Sequence, residues 1–120
     1  WGGLPRALGA SAFECAAAMA FRLFAQERCD MAVVEAGLGG LGDATNVVPA
    51  RRLQLVVLTA VDYEHTDVLG PSLEGIVEQK LGVAREGVPV VLAPQPHGER
   101  VRRLVEDVCA AKGYPLHCVG

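Results

Sequence analysis

Three side chains in this sequence have the types and placement to hold a cation together: Glu35, His65 and Lys80. Glu35 closes the apolar run "MAVVEA" just before a glycine-rich stretch. Open α/β sheets bind ligands outside the carboxyl ends of their strands, so a carboxylate there is well placed for a cation. The alternative is a carboxylate that only ends the strand and caps a neighbour. His65 follows the next apolar run, "LQLVVLTAV", inside "DYEHTDVLG" and should emerge at the same edge of the sheet, either as a ligand or as an ordinary loop residue. Asp62, Glu64 and Asp67 make that field negative.

Lys80 stands out for a different reason. Leu73, Ile76, Val77 and Ala84 define the apolar stripe of a helix expected over 72–85, and Lys80 falls on that stripe, four residues after Ile76. Its amine can snorkel to the surface. Burial would instead favour the neutral, reactive amine. Such an amine can add carbon dioxide and become a carbamate, which turns a cation into an anionic oxygen ligand for magnesium.

The stretch "VVEAGLGGLGDATN" sets Gly37, Gly39 and Gly42 in the register G-x-G-x-x-G. A dinucleotide fingerprint needs a helix straight after the glycines, because the pyrophosphate rests on that helix's N-terminus. Here a short polar stretch leads to Pro49 and the next strand, so a strand-to-loop turn accounts for the glycines better. Asp62 stands where a ribose-binding acid could sit, which keeps a nicotinamide or flavin site open as an alternative.

These residues need a scaffold, and the chain supplies one. Its 120 residues, 51% of them hydrophobic, suffice for one domain with a core. Ser11 and Glu14 form a capping box ahead of Phe13, Ala17, Ala20 and Phe24, predicting a helix over about 11–27. The runs 31–36, 53–61, 89–93 and 116–119 are apolar with little alternation, as parallel strands covered on both faces should be. Val101, Leu104, Val105 and Val108 mark a further helix face, with i,i+4 pairs Arg102–Glu106 and Arg103–Asp107 opposite. The expected fold is therefore a layered α/β domain, a mostly parallel sheet with helices on both faces.

A net charge of −3 without basic runs argues against nucleic acid or an acidic membrane as partner. Cys15, Cys29, Cys109 and Cys118 have no metal or disulfide spacing, which predicts reduced thiols and a cytoplasmic location. The chain starts at Trp1 and reads as a piece of a longer protein.

The segments "VVEAGLGGLGDATNVV", "EHTDVLGPSLEGIVEQKLGV" and "GVPVV" occur in an order that resembles the central domain of folylpolyglutamate synthase and dihydrofolate synthase. These are ATP-dependent ligases related to the muramyl ligases. The resemblance runs from about Ala12 to the C-terminus. It implies that Glu35 and His65 bind magnesium, that Lys80 is carbamylated, and that Asp43, Thr45 and Asn46 belong to a loop at the substrate cleft. It also places the Ser11–Glu14 segment near the folate site, although a plain capping box explains Glu14 as well. The implied reaction uses ATP to phosphorylate a pteroate or folyl-glutamate carboxylate, and the amine of glutamate then attacks the acyl phosphate.

The chain departs from that pattern in places. No G-x-x-x-x-G-K-[ST] phosphate loop occurs, and the glutamate-binding domain would lie beyond Gly120, so the isolated chain is expected to be inactive. Glu64 replaces an aspartate, Gly42 a larger residue and Leu81 an alanine, and the stretch around "PARRL" is lengthened. A diverged, non-catalytic binding or assembly module is the competing reading. Sheet edges and apolar surface exposed by truncation also predict self-association.

Overall fold

The computed structural model describes residues 8–120. Helix α1 (Ala12–Gln26) starts where the capping box predicts. Ser11 Oγ accepts from the Glu14 backbone N–H at 3.2 Å, and the Glu14 carboxylate accepts from the Ser11 N–H at 2.7 Å. Two of the orphan donors of the helix start are thereby satisfied.

A parallel sheet of three short strands carries the rest: β1 (Val56–Leu58), β2 (Val90–Leu92) and β3 (Leu116–Cys118), in that spatial order. Val56 pairs with Val90 and Leu58 with Leu92, while Val90 pairs with Leu116 and Leu92 with Cys118. Between β1 and β2 lie a one-turn helix, α2 (Thr66–Leu69), and α3 (Leu73–Leu81); α4 (Gly98–Lys112) joins β2 to β3. Helices between parallel strands are the crossovers that such a sheet requires. The α/β class and the parallel sheet are as the sequence predicts.

Leu73, Ile76, Val77 and Leu81 of α3 meet Val101, Val105 and Cys109 of α4 and the inward side chains Val56, Leu58, Val90 and Leu92 of the sheet in a single core. Packing is one-sided at β1: Val56 and Leu58 are buried, while Val57 between them is 57% exposed. In this structure the continuous apolar runs thus reflect burial on one face and apolar surface on the other.

Three elements differ from expectation, and of the strand predicted over 53–61 only Val56–Leu58 pairs. The strand predicted over 31–36 does not form: the segment pairs with no strand of the sheet, and Val33 is 94% exposed. An apolar run signals a demand for burial, but a strand also needs a hydrogen-bonding neighbour, and β1 takes its own pairing from β2. The helix predicted over 72–85 stops at Leu81, with Gly82 as its C-cap. Its last carbonyls are taken up from outside the helix, as described next.

Candidate functional site

The glycine-rich loop folds around one carboxylate. Asp43 Oδ2 accepts the backbone N–H groups of Gly37 at 2.9 Å and Leu38 at 2.8 Å. Asp43 Oδ1 accepts the N–H of Thr45 at 3.0 Å and its hydroxyl at 2.6 Å. Burial raises the Asp43 carboxyl, but these four bonds outweigh it and leave the group below its ordinary value. A depressed folded value means that the bonds contribute fully above the unfolded value and are lost as pH falls through the folded one. In the intact protein, the Gly37 and Leu38 amide resonances are therefore expected to titrate together with a midpoint below the ordinary aspartate range, as NMR would record.

The folded loop docks on the C-terminal end of α3. Leu41 donates its N–H to the Gln79 carbonyl at 2.8 Å. The Asn46 amide donates to the carbonyls of Leu41 at 2.9 Å and Gly82 at 3.2 Å, and its oxygen accepts from Arg85 at 2.6 Å. The Arg85 guanidinium also donates to the carbonyls of Gly82, Val83 and Ala84. Asn46 and Arg85 together thus satisfy acceptors just past α3, which lets the helix end there.

Close approach explains the glycines. A Cβ on buried Gly40 would stand 2.8 Å from the carbonyl oxygens of both Gln79 and Lys80. One on Gly37 would stand 2.6 Å from the Phe13 ring of α1. Gly42 differs, since nothing lies within 4 Å of its added Cβ and its φ is outside the left-handed region. Gly42→Ala is therefore expected to stabilise the intact protein by about 0.4–1 kcal/mol through the unfolded state, read as a higher urea midpoint at unchanged m. No α-helix follows these glycines directly; residues 44–47 form turns and only the 3-10 turn Ala50–Arg52 comes before β1, so the dinucleotide alternative lacks its phosphate-binding helix.

The loop after β1 reaches the same place. Lys80, in the last turn of α3, donates to Glu64 at 2.7 Å, with the lysine side chain 18% and the glutamate 48% exposed. The lysine stem packs along the protein and its amine reaches the rim, as in snorkelling. The Lys80 hydrogen bond, and then its charge, hold the Glu64 carboxyl below its ordinary value. Next in the chain, His65 sits in the left-handed region at φ 51° and ψ 37°, a conformation costly for a residue other than glycine. Its carbonyl accepts from Val68 at 2.9 Å and Leu69 at 2.8 Å, closing α2. A Cβ on Gly39 would meet the Leu69 side chain at 2.7 Å, so the glycine loop and the His65 loop touch there.

The end of α3 therefore gathers the glycine loop, the Glu64–His65 turn and Lys80. Glu35 lies two residues before Gly37 with its side chain exposed. Among the described residues no three His, Cys, Asp or Glu side chains converge as a metal site. Asp43, Thr45 and Asn46 are partly buried and use their polar atoms to shape the loop. Neither motif nor periodicity points to Arg85, Gln95 or His97. Gln95 and His97 connect the turn after β2 to residues 59–63, and no spacing rule flags a glutamine or histidine just past a strand.

No family model matches the chain. It is 44% identical over 106 residues to the dihydrofolate synthase/folylpolyglutamate synthase of Haemophilus influenzae, covering 88% of this chain and 22% of that protein. Identity to the Bacillus subtilis protein of the same description is 38% over 107 residues, covering 88% and 24%. Among solved structures, an FPGS–AMPPCP–folate complex superposes with a TM-score of 0.81 at 30% identity, over 96% of this chain and 28% of that one. Escherichia coli FolC in complex with ADP gives a TM-score of 0.67 at 36% identity, over 80% and 22%. The chain spans less than a quarter of the length of these two curated relatives.

Proposed function

Because the chain belongs over its matched residues to the folylpolyglutamate synthase and dihydrofolate synthase family, we propose that it is part of the central domain of an ATP-dependent amide ligase. The ligase adds L-glutamate to dihydropteroate or to a folyl-glutamate. The observation that carries this reading is the meeting of the Asp43-centred loop, the strained His65 turn and Lys80 at the end of α3, in a chain with that similarity.

A carboxylate does not acylate an amine directly, because oxide is too poor a leaving group. Transfer of the γ-phosphoryl group of ATP to the acceptor carboxylate gives an acyl phosphate and ADP. The glutamate amine then attacks the acyl carbon, phosphate leaves, and the nitrogen loses a proton to give the amide. Magnesium, when bound, would neutralise charge gathering on the phosphoryl oxygens.

Glu35, His65 and carbamylated Lys80 are the residues proposed to hold that ion. As an ammonium Lys80 offers no lone pair. Addition of its neutral amine to carbon dioxide, with loss of a proton, supplies two oxygens that share one negative charge, and with the Glu35 carboxylate these suit the preference of magnesium for oxygen ligands. The Lys80 amine stands beside the Glu64–His65 turn, where its ion pair with Glu64 has to open before a carbamate forms. Asp43, Thr45 and Asn46 would shape the cleft wall, and Asp43 would do so by locking the loop.

The chain contains no phosphate loop, so the isolated chain is proposed to be inactive and the activity to belong to the full-length protein. All four cysteines are free, which supports a cytoplasmic location; no described helix is long and apolar enough to cross a membrane. Exposed Met31, Val33, Leu55 and Val57 support self-association of the isolated chain.

Oxygen-18 in the acceptor carboxylate tests the reaction. The full-length protein is expected to pass one labelled oxygen to the released phosphate during glutamate-dependent turnover. Unlabelled phosphate accompanying amide formation would exclude the acyl phosphate.

A further inference from the structure

Past the last paired residues of β1 and β2, a side chain continues the sheet. Ala93 donates its N–H to the Leu58 carbonyl at 3.0 Å, and the backbones pair no further. The Gln95 amide then takes over: its nitrogen donates to the Thr59 carbonyl at 2.9 Å and its oxygen accepts the Val61 N–H at 2.8 Å. In a parallel ladder a residue donates to the carbonyl before its partner and accepts from the N–H after it. The Gln95 amide does both around Ala60, so it stands in for one residue of the neighbouring strand. Its second N–H is taken by the Ala93 carbonyl at 2.7 Å, which fixes the amide's orientation.

The same turn holds the chain further along. His97 Nε2 lies 2.8 Å from Asp62 Oδ1, and its ring meets Tyr63 edge-on at 5.4 Å. Residues 59–63 are thereby tied to the turn after β2, directly ahead of Glu64 and His65. A left-handed histidine persists only where its surroundings over-determine it. Here α2 holds it from one side, and the Gln95 and His97 contacts hold it from the other.

We propose that Gln95 is a positioning residue of the ligase site, whose side-chain amide replaces a rung of the β1–β2 ladder and so sets the strained turn that presents Glu64 and His65. The catalytic part of this inference rests on the ligase reading above; the part that concerns the turn does not. Gln95→Met keeps the length of the side chain and removes all three hydrogen bonds of the amide, whereas Gln95→Glu keeps the acceptor for Val61.

In the intact protein, Gln95→Met is expected to raise deuterium exchange across residues 59–65 at least roughly tenfold while α4 stays protected, and to lower kcat roughly 10–100-fold with little change in KM for ATP. Gln95→Glu is expected to recover part of both. Unchanged exchange in Gln95→Met overturns the proposal, and so does an unchanged kcat in a folded variant of an active protein. A wild-type protein without ligase activity sinks the ligase reading and the catalytic role with it, while the exchange result still decides whether Gln95 sets the turn.

Discussion

Lys80→Ala in the full-length protein is expected to lower glutamate-dependent ADP release by roughly 10²- to 10³-fold, the scale of losing one preorganised electrostatic contact to a transferring group. Stability should barely move. The pair with Glu64 joins a lysine at the rim to a half-exposed carboxylate, and pairs of this kind contribute at most about 1 kcal/mol. Lys80→Arg separates the two roles of the side chain. Arginine keeps the cation and a partner for Glu64, but its always-protonated guanidinium does not add carbon dioxide. If Lys80 acts as a carbamate, Arg is as inactive as Ala; if it acts only as the ammonium partner of Glu64, Arg retains most of the activity. Steady-state rates of the three proteins, with urea denaturation run beside them, read both effects.

Gly40→Ala is the second large effect and acts through packing. The new methyl would be forced within 2.8 Å of two helical carbonyl oxygens and 3.0 Å of Val83. Backbone atoms of α3 cannot swing away as the end of a side chain can, so the loop must lift and lose the Leu41 to Gln79 hydrogen bond. Overpacking of this kind costs about 1–3 kcal/mol, expected as a lower urea midpoint, together with a fall in kcat as the loop leaves the Lys80 end of the helix. Gly42→Ala, two residues along and in open space, provides the control with the opposite sign.

Comparison of the two glycines shows which parts of the fold and site could be read in advance. The pattern G-x-G-x-x-G includes Gly42, where an added Cβ would meet nothing, and leaves out Gly40, which is buried against α3. The clash partners of Gly40 lie far along the chain, beyond the reach of a local motif. Local chemistry was legible: the Ser11 capping box starts α1, and the apolar stripe of α3 placed Lys80 on a half-buried helix face. The end of α3 was not, because Asn46 and Arg85 satisfy acceptors there from 36 and 3 residues away in sequence. The run 31–36 misled for the same reason, since its composition says that it needs a neighbour without saying which.

The candidate site divides along that line too. Glu35, His65 and Lys80 stand out in the sequence through residue type at the end of an apolar run or on an apolar stripe. The contacts that place them were hidden: Glu64 meets Lys80 across 16 residues, and Gln95 reaches Val61 across 34. Side-chain rungs and helix ends capped from a distance are properties of the assembled fold, and a periodicity search does not register them.

Release of ADP from ATP by the full-length protein tests the central claim most directly, with glutamate and with dihydropteroate or a reduced folate as acceptor. The account predicts that ADP is released over many turnovers only when both acceptor and glutamate are present, in step with the new amide. ADP release indifferent to glutamate and acceptor, or none at all from a folded full-length protein, would contradict it.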